Sequence, residues 1–116
     1  MSEHGIQNAI RNELAGKVLC FRANVGRAWT GSRVEQLPGG KVLIHDARPF
    51  STGLPPGFSD LFGVAPGGRF FALEVKSEAG RTSEQQGKFL AAVERGGGLA
   101  GVARSPADAL RILGLV

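Results

Sequence analysis

The sequence predicts an α/β protein: a central mixed β-sheet flanked by helices. Three observations carry this. Helical stripes open and close the chain, with Ile6, Ile10 and Leu14 recurring at helical spacing near the start and a Ser105–Pro106 cap near the end. Short apolar runs fill the middle, separated by glycine and proline. A strand–helix–strand segment follows from residue 69 to residue 104, which implies a parallel pair joined by a right-handed crossover whose helix covers the sheet. The 116 residues suffice for one modest core, and a single domain over 1–116 is expected.

The elements follow in order. "HGIQNAIRNELAGK" reads as a helix that Gly16 can end, with Lys17 suited to its carboxyl end. "VLCFRAN" is a strand. "RVEQL" and "KVLIHDA" flank "PGG" and form a hairpin. Residues 49–59, "PFSTGLPPGFS", hold three prolines and two glycines and are expected to be a loop. "DLFGVA" is a short strand, "APGG" a turn, and "RFFALEVKS" the clearest strand of all. Within it Phe71, Leu73 and Val75 share one face, and Phe70, Ala72, Glu74 and Lys76 share the other. "TSEQQGKFLAAVERG" is a helix capped by Thr82 or Ser83 and ended by Gly96. "GLAGVAR" reads as a buried strand, and "SPADALRILG" as a closing helix with proline in its first turn. The expected order is α-β-β-β-β-β-α-β-α.

Composition narrows the function classes. An apolar fraction of 42% and a charged fraction of 21% are those of a globular chain. No apolar run approaches the 18 or so residues of a membrane span, and no secretory signal is read in the first twenty. A cytoplasmic location is therefore expected. Cys20, the single cysteine, reads as a small core residue in a reducing compartment. His4, His45 and Cys20 lack zinc-ligand spacing. The net charge of +4 is a mild excess, carried mostly by arginine, which suits bidentate phosphate contact.

The chemistry gathers around the strongest strand. Glu74 and Lys76 project together, roughly 6–7 Å apart at strand rise. A buried charge needs partners, so the pair is either an ion pair on an exposed face or part of a site. Asp60 opens the preceding strand, and antiparallel neighbours can bring Asp60 and Glu74 to one divalent cation, together with a backbone carbonyl and water. Alternatively Asp60 is a strand-edge residue. Glu13, seven residues after Ile6, falls in the helical stripe, where it either contacts metal or extends to water. Gln86 stands three residues after Ser83 and forms either a capping box or a polar contact to lysine, water or phosphate. Trp29 either packs under a loop or stacks on a base.

Together "FSDLFG", "FALEVKS" and "GRTSEQQGKFL" resemble the VRR-NUC domain, a branch of the PD-(D/E)XK nuclease superfamily. Ser59 stands where the superfamily name implies proline, and Thr82 where a larger apolar residue is frequent. The resemblance implies a restriction-endonuclease-like fold and a nuclease that hydrolyses DNA with Mg²⁺ or Mn²⁺. It implies Asp60, Glu74 and the Val75 carbonyl as metal ligands, with Glu13 as the helix-one acid. Lys76 would serve the attacking water and Gln86 would help to position it. Arg22, Arg27 and Arg33 are candidates for DNA backbone contacts. The short length is similar to stand-alone phage and bacterial members, which implies a homodimer selective for branched DNA such as Holliday junctions, in repair or recombination. The rivals are a DNA-binding protein on a nuclease fold that does not cut, and an interaction domain with a surface Glu–Lys pair.

Overall fold

The computed structural model describes residues 1–115. The chain forms two compact units. One comprises Met1–Ala23 and the stretch from Pro56 onward; the other is Asn24–Pro55.

The first unit begins with helix α1 (Glu3–Leu14), whose buried positions Ile6, Ile10 and Leu14 are the expected stripe. The Ser2 hydroxyl accepts from the Gly5 amide and caps it. Strand β1 (Leu19–Arg22) follows. The second unit holds β2 (Arg27–Thr30), β3 (Arg33–Leu37), β4 (Lys41–His45) and β5 (Arg48–Ser51). The first unit then resumes with β6 (Leu61–Ala65), β7 (Arg69–Val75), helix α2 (Glu84–Arg95), β8 (Leu99–Ala103) and helix α3 (Pro106–Ile112).

In the first unit four strands form one mixed sheet, ordered β1-β6-β7-β8. β1, β6 and β7 pair antiparallel, while β7 and β8 pair parallel. The parallel pair is the one expected from the strand–helix–strand segment. Alternation gives the sheet two faces. Leu61, Ala65, Phe71, Leu73 and Val75 form one core with Ile6, Ile10 and Leu14 of α1 and Ala109 and Leu113 near α3. On the opposite face Phe62 meets Phe58, which stacks in turn on Phe89 of α2 at 4.7 Å between ring centroids. Cys20 packs at the edge of the core, and burial pushes its thiol pKa up. Leu110, Ile112, Leu113 and Leu115 also pack on the core, so the tail "ALRILGLV" turns its apolar side chains inward; Val116 lies outside the described residues.

In the second unit β3 and β4 form the expected hairpin across Pro38–Gly40. β2 and β5 form a further antiparallel ribbon. These two strands correct the expected element order, which had five strands before the second helix where seven are found. β5 also corrects the start of the 49–59 loop. Both strands are four residues long and exposed throughout, so neither carries the apolar alternation that marks a strand in sequence.

Candidate active site

Glu74 sits in β7, between β6 and β8, and is 1% exposed. A carboxylate in that position has lost nearly all its water. Its Oε2 has no hydrogen-bond partner. Asp60 lies one residue before Leu61, whose register partner is Leu73, so strand pairing sets Asp60 across from Glu74. Asp60 is held from several directions. Its Oδ2 accepts from the Val75 amide at 2.9 Å, extending the β6–β7 pairing just ahead of the start of β6, and its carbonyl accepts from the Ala23 amide at 2.9 Å.

The approach to Asp60 is fixed too. Ser59 is fully buried and its hydroxyl donates to the Leu61 carbonyl at 2.8 Å. Gly57 has φ +87°, and a Cβ there would lie 2.5 Å from the Gln85 carbonyl of α2. Only glycine allows the loop to pass so close.

Electrostatics follow from this crowding. Burial raises the Glu74 pKa, the Asp60 carboxyl raises it further through a hydrogen bond and its charge, and Lys76 opposes the rise; the result is about 9. Glu3, in the first turn of α1, pushes it the same way. The Glu3 carboxylate reaches the loop after β7, where a Cβ on Gly80 would stand 3.0 Å from its Oε2 and 3.4 Å from the Lys76 Cβ. Arg104 anchors that loop. Its Nη1 donates to the carbonyls of Ser77 and Gly80 at 2.5 and 2.7 Å.

A buried carboxylate, a second acid against it and a lysine two residues on are thus assembled at the end of a central strand. A family model for the VRR-NUC domain matches residues 1–107. This chain belongs to the VRR-NUC family. VRR-NUC domains are nuclease domains whose substrate is DNA, and the matched range includes residues of both units. No curated protein matches the sequence. Among the described residues no helix is long and apolar enough to cross a membrane.

Against the VRR-NUC pattern, the predicted residues fall into two groups. Asp60, Glu74, the Val75 backbone and Lys76 come together. Glu13 does not join them: it is exposed, pairs with Lys17 at 3.1 Å, and lies ten residues along α1 from Glu3, about 15 Å at helical rise. Glu3 is the acid of α1 that acts on Glu74; the helix expected from sequence begins at His4, one residue after it. Gln86 forms the capping box: its Oε1 accepts from the Ser83 amide at 2.8 Å, and its amide donates to Ser83 Oγ at 3.1 Å. Arg22 and Arg27 are exposed. Arg33 is engaged within its own hairpin, with Nη2 3.3 Å from Glu35 and 3.0 Å from His45. Trp29, weighed as a packed ring, is 62% exposed.

The donor set suits a hard divalent cation. Glu74 Oε2 is buried without a partner, and its raised pKa records first the loss of water around it and then the neighbouring Asp60 carboxyl, both of which a cation would offset. Among the described residues no three Asp, Glu, His or Cys side chains converge as a ready-made cage.

Proposed function

We propose that the chain is a Mg²⁺- or Mn²⁺-dependent endonuclease that hydrolyses DNA phosphodiester bonds, with branched DNA as its preferred substrate. The observation that carries this is the buried, unpartnered Glu74 oxygen beside Asp60 and Lys76, in a chain of a nuclease family. Asp60, Glu74 and the Val75 carbonyl would hold the ion, with Glu3 in the role first expected of Glu13. When bound, the cation supplies charge relief on the phosphate and an acidified water.

The protein's own groups do the rest. Asp60 keeps one oxygen on the Val75 amide and so presents the other in a fixed direction. Glu74, once it gives up its proton, contributes a negative charge that the enclosing strands hold in place. Lys76, directly after β7 and two residues from Glu74, brings an ammonium to the attacking water and to the charge developing on the phosphate. Gln86 is already committed to the α2 cap through Oε1, which leaves its Nε2 for a contact at the helix start. We read both units as one VRR-NUC domain, with Arg22 and Arg27 contacting the DNA backbone. A homodimer is supported by the exposed Leu19, Phe21, Val64 and Phe70 on the sheet face opposite the core of the first unit, next to edge strand β1.

The test is cleavage of end-labelled linear, flap, fork and four-way DNA in Mg²⁺, Mn²⁺ and EDTA. Cleavage should need the cation and favour the branched substrates. Lys76→Ala should lower the rate by about 100-fold or more while Mn²⁺ still raises the melting temperature. Binding without cleavage in either metal would replace this reading with a DNA-binding protein on a nuclease fold.

A further inference from the structure

Trp29 is the chain's one tryptophan, and it lies in water on a two-stranded ribbon. Arg27 is two residues before it, so both project from the same face of β2. Their register partners, Ser51 and Pro49 of β5, share that face. Arg27, Pro49, Phe50 and Ser51 line a hollow of about 260 Å³. Arg27 thus borders that recess and also shares a strand face with the indole.

Charge says what kind of partner suits this face. The second unit has four cations (Arg27, Arg33, Lys41, Arg48) and two acids (Glu35, Asp46). Both acids are engaged by residues outside β2 and β5: Glu35 meets Arg33 and His45, and Asp46 accepts from the Ser32 hydroxyl at 2.7 Å. The β2–β5 ribbon itself carries Arg27 and Arg48 and no carboxylate. A partner that complements it is flat, aromatic and anionic at once. A nucleotide with its base unpaired has both parts, since the base offers a π-face and the phosphate a charge for arginine. A base inside a duplex offers neither face.

We propose that the Arg27–Trp29 face of β2 is a stacking platform for unpaired DNA bases, Trp29 taking the base and Arg27 the adjoining phosphate. The inference deepens the nuclease reading and rests on it for the identity of the polymer. It gives a branched-DNA preference a physical source, because junctions, forks and flaps expose bases that a duplex hides.

The test needs no cleavage. With one tryptophan and no tyrosine, the near-ultraviolet-excited emission of the protein is that of Trp29. In EDTA, a short oligothymidylate should quench it saturably, a blunt hairpin duplex should quench it far less, and added salt should weaken the effect. Anisotropy of a labelled oligothymidylate should show Trp29→Ala binding roughly five- to 150-fold more weakly, with Trp29→Phe recovering most of the loss. An exposed ring can be changed without unfolding, which thermal melting of both variants checks. The proposal is overturned if the oligonucleotide binds with emission unchanged, if Trp29→Ala binds as tightly as the parent, or if no DNA binds. Emission that follows protein dilution without DNA would assign the indole to a second copy and equally overturn it. Quenching without cleavage in Mg²⁺ or Mn²⁺ would support the platform and sink only the nuclease reading.

Discussion

At the scale of single residues, Glu74 dominates. Its pKa rises from the ordinary 4.5 to about 9, so between those values the folded, metal-free protein holds a proton that the unfolded chain has released. Stability contributed by that proton is complete at the acid end of the window and is lost as pH rises toward 9. Metal-free protein should therefore melt at falling temperatures from about pH 5 to about pH 8, by up to roughly 1.4 kcal/mol per pH unit of unfolding free energy. Glu74→Gln holds a neutral, isosteric side chain at every pH and should flatten that slope; a slope unchanged in the variant would show that Glu74 does not cause it. The same linkage bears on the cation. Divalent ion binding near neutral pH must displace this proton, so calorimetry in two buffers of different ionisation enthalpy should record about one proton released per ion. A binding heat independent of buffer would mean that the ion does not meet Glu74.

At the scale of elements, the strands and helices of the first unit were legible because each carries a burial pattern or a cap. β7 carries an apolar run, buried from Phe71 to Val75 on both faces, α1 has its stripe, and Ser83–Gln86 announces the start of α2. The capping box that competed with a functional role for Gln86 is there, so Gln86→Ala should cost about 1 kcal/mol of stability in thermal melts, and Gln86→Glu should restore the cap. What was not legible lacks such a pattern. β2 and β5 bury nothing along one side, so no periodicity betrays them. Glu3 falls one residue before the helix expected from His4 onward, although its spacing of seven from Ile10 mirrors that of Glu13 from Ile6. Arg104, at the end of β8, gave no sequence signal, because its partners are carbonyls in a loop more than twenty residues earlier. Those contacts predict its importance. Arg104→Met should leave the Ser77 and Gly80 carbonyls without their donor, cost about 2 kcal/mol, and speed hydrogen exchange at the amides from Lys76 to Gly80. Unaltered exchange there would mean that the loop holds its shape without the guanidinium.

At the scale of the whole molecule, the division of labour between units is the strongest regularity. Every member of the hydrophobic core belongs to the first unit, as do Glu3, Asp60, Glu74 and Lys76. The second unit adds ribbons whose large apolar side chains stay exposed, among them Trp29, Val34, Val42 and Phe50, and it contributes nothing to that core. Cooperative folding should follow the core, because burial of apolar surface is the main favourable term. The Ala23 amide already bonds to the Asp60 carbonyl, so the chain leaves the first unit and returns to it close to the same point. Replacing residues 24–55 by a short Gly/Ser linker would then close a loop shorter than the original, which lowers the closure entropy. The shortened chain should unfold in a single cooperative transition and should still gain melting temperature on addition of Mn²⁺. It should lose the oligothymidylate affinity that the ribbon confers. Loss of the cooperative transition would show that the first unit depends on the second for its fold; a fold kept without the Mn²⁺ response would show instead that the acids of the first unit do not by themselves make the metal site.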